Sequence, residues 1–153
     1  MQYLTFRMNG VEYAVDVKIV ETVVERGDTT PVPTPVEYMR GVMDLRGRVI
    51  PVIDLRRKFG LPARADEGRS VVIVFAVAGE GEGAKSLTVG ALVDEVSEVM
   101  TIDEGSVEES RGEGAALWER YVRGIVRADN RMIVLVEAEG LFSIKEIEAL
   151  RAA

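Results

Sequence analysis

The sequence predicts an all-β protein made of two small barrels packed together, and three observations carry that prediction. Short alternating or wholly apolar segments succeed one another with turn residues between them and little helical periodicity. A block from the middle of the chain returns near its end: Tyr121–Phe142 aligns with Tyr38–Phe59 without a gap, at an offset of 83 residues. Tyr38, Arg40, Gly41, Arg48, Ile50 and Phe59 recur as Tyr121, Arg123, Gly124, Arg131, Ile133 and Phe142. The flanking segment Val20–Val23 also reappears, as Val96–Val99, at an offset of 76. One supersecondary unit has been used twice.

Taken in order, the first segment alternates, with Leu4, Phe6 and Met8 on one face and Thr5, Arg7 and Asn9 on the other, as a half-buried strand requires. Asn9-Gly10 is a strong two-residue hairpin signal, so Val11–Val15 should return antiparallel to Gln2–Met8. Asp16 is placed to cap a short helical turn over Val17–Thr22. Pro31, Pro33 and Pro35 hold the following loop extended. Gly41–Leu45 and Arg48–Leu55 read as a second hairpin about Arg46-Gly47, with Asp129-Asn130 at the same two positions of the second copy. Gly, Asn and Asp tolerate the positive φ of a tight primed turn. Pro51 suggests an edge or a bulge in its strand.

Val71–Val77 is apolar on both faces and should be a central strand, with Leu87–Val93 returning after the loop Gly79–Gly83. A long loop with a helical turn is expected over Asp103–Gly114. The C-terminus reads as a helix, opened by the Ser143–Glu146 capping box and carrying Ile144, Ile147 and Leu150 on one face.

Composition bounds the function. At 153 residues the chain has the size of one domain or of two small subdomains sharing a core. No apolar run approaches the roughly 20 residues that cross a bilayer, and Met1–Gly10 lacks the basic start and apolar centre of a secretory signal. A net charge of −7 argues against nucleic acid as a partner. Seven basic residues nevertheless cluster over Arg40–Arg64 and could meet an acidic partner.

Chemistry is hard to find. Cysteine and histidine are both absent, which removes disulfides, thiolate metal sites and the commonest general base. Asp94-Glu95 are neighbours on a strand, so their carboxylates diverge rather than share a proton. Glu80 and Glu82 in the glycine loop would repel a phosphate. Asp103-Glu104-Gly105 lacks the alternating ligands of a calcium loop, and Trp118 reads as a packing anchor. No catalytic residue, cofactor or metal site is expected.

The run Tyr38-Met39-Arg40-Gly41-Val42, then Leu45–Arg56 (LRGRVIPVIDLR), closely resembles the signature of CheW, the coupling-protein family of bacterial chemotaxis. Thr30–Pro33, Phe59-Gly60, Val93–Val96, Gly124 and Arg131–Ile133 extend the match in order along nearly the whole chain. The resemblance implies two five-stranded SH3-like barrels sharing a core, with short helices and a C-terminal helix. It divides the single domain, residues 1–153, into a first barrel near 1–64, a second near 65–142 and a helix at 143–153, with strand exchange between halves allowed.

The family's members are non-catalytic cytoplasmic adaptors that join chemoreceptor tips to the regulatory domain of the histidine kinase CheA, in arrays at the inner face of the membrane. Barrel ends meet the kinase domain; a receptor helix tip lies in an apolar groove between the barrels. By position, the receptor contact falls on Val20, Val23, Val71 and Val99, each of which core packing would equally explain. Arg46, Thr22 and Glu98 complete the set. Thr22 stands where many members carry Glu, and Asp44 where many carry Asn. Kinase-contact residues are not assigned. Rival readings are a detached regulatory domain of the kinase, or an adaptor for a pilus or other chemosensory output.

Overall fold

The computed structural model describes residues 1–25, 29–33, 37–61, 71–77, 87–109, 121–137 and 141. The glycine loop at 79–83, Arg64, Trp118, the far part of the 103–114 loop and the expected C-terminal helix lie outside the described residues.

Among the described residues, eleven strands form two sheets. β1 (Gln2–Met8), β2 (Val11–Asp16), β8 (Glu95–Thr101), β9 (Val107–Glu109), β10 (Val122–Ala128) and β11 (Arg131–Val136) make one sheet, ordered β8-β1-β2-β11-β10-β9. β3 (Val20–Glu25), β4 (Met39–Leu45), β5 (Arg48–Asp54), β6 (Val71–Val77) and β7 (Leu87–Val93) make the other, ordered β3-β6-β7-β5-β4. The two orders are equivalent, and each sheet has one parallel junction, β2–β11 or β7–β5. The mainly β class is thus met by two sheets of six and five strands.

One sheet is built of the consecutive strands β3–β7, and the other from strands on both sides of them in the chain. The N-terminal hairpin β1–β2 joins strands from the second half, while β6–β7 completes the sheet that begins at Val20. The chain passes from one sheet to the other between β2 and β3 and again at Asp94.

Three apolar clusters follow. Met43, Leu45, Ile50, Val52, Val72, Val74 and Leu92 fill one sheet's own concave side. Tyr3, Ala14, Ile102, Val126, Ile133 and Leu135 fill the other's. The largest cluster lies between the sheets and draws on both, with Leu4, Phe6, Tyr13 and Val134 from one and Ile53, Ile73, Phe75 and Val89 from the other. Strands near the seam are therefore apolar on both faces. This corrects the half-buried reading of β1: Thr5 is fully buried with Tyr3, Leu4 and Phe6, its hydroxyl bonded to the Glu98 backbone at 3.2 Å.

Most local expectations hold. β1 and β2 pair from Tyr3–Asp16 to Met8–Val11. Val72–Phe75 are fully buried in β6, between β3 and β7. Asp16 Oδ1 accepts the Lys18 N–H at 2.9 Å, but the helical turn covers only Val17–Ile19. The stretch Val20–Thr22 is strand, because pairing with β6 outweighs a one-turn helix. Leu55 is not the end of β5: Asp54 caps a short helix, α1 (Leu55–Lys58), through a 3.1 Å bond to the Arg56 N–H.

Pro51 lies in an internal strand, not at an edge. Val42, opposite it, uses its N–H and C=O on Thr30 at 2.9 and 2.7 Å, so the Val42–Pro51 pair exchanges no ladder bond. Pairing of β5 with β7 begins only at Val52, so the missing N–H is needed on neither side.

The repeated Arg-Gly pair has a steric cause. A β-carbon at Gly41 (φ 151°) would collide with the Thr30 carbonyl, and one at Gly124 would stand 2.5 Å from the Glu108 carbonyl. In each copy a neighbouring segment crosses the strand at that point. Gly41→Ala should therefore lower unfolding stability by roughly 2 kcal/mol or more. Urea denaturation with an unchanged slope checks this; a loss below about 0.5 kcal/mol would show that the crossing segment simply yields.

Candidate functional site: the seam and the two hairpin tips

The pseudosymmetry of the fold meets itself at Lys58. This buried lysine, on α1, donates to the carbonyl of Leu141, the residue at its own position in the second copy. Its ammonium lies 5.2 Å from the ring centre of Tyr38 and 5.6 Å from that of Tyr121, the equivalent tyrosines. Phe59 stacks on Tyr121 at 5.1 Å and meets Tyr13 edge-on at 5.8 Å. Burial in this apolar surround pushes the Tyr13 phenol up. A cation between two ring faces and a carbonyl holds both halves at one point.

A second polar link closes the seam where β7 passes into β8. Arg56, almost covered, places Nη1 3.1 Å from Asp94 and Nε 3.6 Å from Asp54. Asp94 also accepts the Asn9 N–H at 2.8 Å. The Asp94 carboxylate is thus engaged in structure, and Glu95 beside it is exposed on β8.

The sequence-predicted contact residues divide by face. Val20 pairs with Phe75, Val23 with Ile73 and Val99 with Leu4, and residues opposite one another in a ladder share a side. All three partners belong to the intersheet cluster, as does the packing of Val20, Val23 and Val71. Val99 lies on the same face, yet is 50% exposed. Thr22 pairs with Val74 and Glu98 with Thr5, which places both on the opposite face. The structure thus groups the four valines and separates Thr22 and Glu98 from them. β3 and β8, which carry most of the set, are the matching edge strands of the two sheets.

Arg46 is exposed at the tip of the β4–β5 hairpin, with φ 52°, followed by Gly47 at 85°. Asp129 and Asn130 hold the second tip at 50° and 62°. Asp44 accepts the Gly47 N–H at 2.9 Å and so braces the turn.

Two clamps unseen in the sequence close the sheets. Arg48 reaches from β5 to Glu21 on β3 at 2.6 Å and Thr88 on β7 at 3.5 Å. Its counterpart Arg131 reaches from β11 to Glu98 on β8 at 3.0 Å and Glu12 on β2 at 3.4 Å. Each joins an edge strand to a strand three places away in its sheet. The signal was present: Arg48 and Arg131 are among the few identical pairs of the repeat. Glu98 is accordingly committed to Arg131. The ion pair with Glu98 and the charge of Glu12 hold the Arg131 guanidinium above its ordinary range.

Among the described residues no cluster of three or more carboxylates is placed to hold a metal ion, and no helix is long and apolar enough to cross a membrane.

The family profile of the CheW-like domain matches residues 2–146. The chain belongs to the CheW-like family. It is 34% identical over 148 residues to a probable chemotaxis protein CheW of Rhizobium etli, covering 97% of this chain and 91% of that one. It is 33% identical to the chemotaxis protein CheW of Bacillus subtilis, covering 90% and 84%. The crystal structure of the scaffolding protein TtCheW from Thermoanaerobacter tengcongensis superposes with a TM-score of 0.78 at 30% identity, covering 95% of this chain and 94% of that one. CheW-like proteins are non-catalytic scaffolds, and this chain is a chemotaxis coupling or scaffold protein rather than an enzyme.

Two outcomes follow for the site. Lys58→Met leaves the Leu141 carbonyl without this donor and should cost about 1–3 kcal/mol in chemical denaturation; an unchanged midpoint would mean that the ammonium does not hold the seam. Glu104 accepts hydrogen bonds from Arg123 and Tyr3, which hold its carboxyl below the usual range. A depressed carboxyl stabilises the fold above its unfolded pKa, and the contribution is lost as pH falls through the folded one. The melting temperature of Glu104→Gln should thus depend less on pH below about 4.5 than that of the parent; parallel profiles would place the acid sensitivity elsewhere.

Proposed function

We propose that the chain couples the cytoplasmic tips of chemoreceptors to the regulatory domain of the histidine kinase CheA, as a cytoplasmic component of receptor arrays at the inner face of the membrane. The observation that supports this reading most directly is the placement of Val20, Val23, Val71 and Val99. All four lie on the intersheet face, and those of β3 and β8 stand on equivalent edge strands. Val99 is half exposed on that face, as an apolar helix tip seeking cover would require. Arg46, beside the clamp from Arg48 to Glu21, presents a guanidinium fork suited to carboxylates on a receptor.

A protein that holds receptor and kinase together raises the effective concentration of each for the other. It passes on the receptor's state to the extent that its affinities for the receptor's states differ. Thr22 and Glu98, turned to the other side, would act at the margin of this contact.

Pull-down with a receptor tip fragment and with the kinase regulatory domain tests the assignment. Val99→Asp should weaken receptor binding about tenfold or more while leaving the melting temperature almost unchanged. Arg46→Ala should do the same less severely. Retention of neither partner at protein concentrations of roughly tens of micromolar would rule the coupling role out.

A further inference from the structure

The two arginine clamps differ in one neighbour. Arg48 ends on Glu21 and Thr88. Arg131 ends on Glu98 at 3.0 Å and, with the same Nη2, on the Met100 sulfur at 3.8 Å. The position 76 residues before Met100 is Val24, so the first copy carries no thioether there.

Met100 pairs with Tyr3 on β1 and packs at the edge of the cluster of Tyr3, Ile133 and Leu135. It is half-buried. The groups beside its sulfur are open to water, with the Arg131 and Glu98 side chains 34% and 50% exposed. A thioether is a weak acceptor and makes little use of a charged donor. Arg131 Nη2 carries two hydrogens; Glu98 takes one, and the other is left for the sulfur. Arg131 Nε is buried without an acceptor among the described residues. The guanidinium therefore has donors to spare beside a sulfur that can gain an oxygen.

We propose that Met100 is a site of reversible oxidation by hydroperoxides, and that Arg131 receives the oxygen of the resulting sulfoxide. With hydrogen peroxide, the sulfur attacks one peroxide oxygen, and an S–O bond forms as the O–O bond breaks. The proton of the attacked oxygen passes to the departing hydroxide, which leaves as water. Sulfur gives up two electrons and the peroxide takes them. An oxygen set on the Arg131 side of the sulfur turns the 3.8 Å contact into an ordinary N–H···O bond of about 2.9 Å. Only one of the two sulfoxide epimers directs its oxygen that way. Sulfoxides usually disrupt the apolar surroundings in which they form. Here a charged donor already stands in place, and charge-assisted bonds are the stronger kind. Glu98 keeps its own hydrogen, so oxidation adds a second tie between β11 and β8. β8 carries Val99 on its other face, and the added tie stiffens the strand that presents it. The inference stands whether or not that face receives a receptor.

The test is hydrogen peroxide treatment of the purified full chain, followed by peptide mass spectrometry and amide hydrogen exchange. Exposed Met1 and Met132 serve as references, and buried Met8, Met39 and Met43 should stay reduced. Met100 should gain one oxygen in the folded chain, and amide exchange over β8 should slow about threefold or more. Met100→Leu should exchange like the untreated parent and show no response of β8 to peroxide. Met100→Gln, which offers an amide oxygen in place of the sulfoxide's, should slow β8 exchange without peroxide. In Arg131→Leu the sulfoxide lacks its donor, and peroxide should speed β8 exchange instead; Met100→Gln decides the point if that variant does not fold. Met100 left reduced while Met132 is fully oxidised overturns the inference. So does β8 exchange that is unchanged or faster in the oxidised parent, or an equal response in Met100→Leu.

Discussion

Each sheet of this protein has two apolar faces, and only one of them can be covered by the sheet's own curl. The second must be covered by something else, and the other sheet is what covers it. That requirement makes the intersheet cluster of Leu4, Phe6, Tyr13, Ile53, Ile73 and Phe75 the condition on which the rest depends. Burial at roughly 25 cal/mol per Å² of apolar surface gives such a layer most of the weight in folding. Neither sheet could be stripped of the other without exposing fully buried Phe6 or Phe75. Exchange of the β1–β2 hairpin into the sheet of the second half reinforces this dependence, since that sheet draws strands from both sides of the other, which occupies the middle of the chain.

An apolar layer is indifferent to small rotations, and polar contacts at its rim supply the missing direction. Lys58 against Leu141, Tyr38 and Tyr121 marks the point where equivalent positions of the two copies meet. Exact symmetry would place two lysines there, and two ammonium groups in one apolar site would repel. One copy therefore carries the cation and the other the carbonyl that receives it. The Arg56–Asp94 pair does similar work at the crossover, where the chain needs a fixed bend between β7 and β8. Both contacts are sheltered enough that solvent screens them less than a surface pair.

Much of this was legible because the repeat made it so. The tight turns at Arg46-Gly47 and Asp129-Asn130 could be read from residue chemistry, and the steric reason for Gly41 and Gly124 was implicit in their recurrence. What failed to show were features set by tertiary partners. The burial of Thr5 depends on a cluster assembled from distant strands, and alternation within Gln2–Met8 carries no trace of it. Val20–Thr22 looked helical because the short-range signal at Asp16 is real, while the long-range pairing to β6 that ends the turn at Ile19 is not a local property. The contact residues were recoverable by position, but the face each one occupies was not. A bulge between Val20 and Thr22, and another opposite Thr5 and Phe6, shift the alternation on which a face assignment rests.

Divergence between the copies falls into a pattern with a physical basis. Where backbone meets backbone, at Gly41 and Gly124 or at the turn residues, the second copy repeats the first or substitutes a residue with the same conformational reach. Where a side chain closes a sheet, the arginine is kept and its carboxylate moves by one place, from Glu21 to Glu98, the counterpart of Thr22. A long guanidinium on a fixed strand can reach either of two neighbouring positions, so the clamp tolerates that exchange and the exposed carboxylate pattern changes with it. At the tips the charge itself inverts. Packing cannot account for an inversion there, because the two turns share the same backbone and both side chains point away from the fold. Asp129 attracts the Arg131 guanidinium through space, a support that Arg46 cannot give Arg48, so part of the inversion serves the second sheet's own clamp.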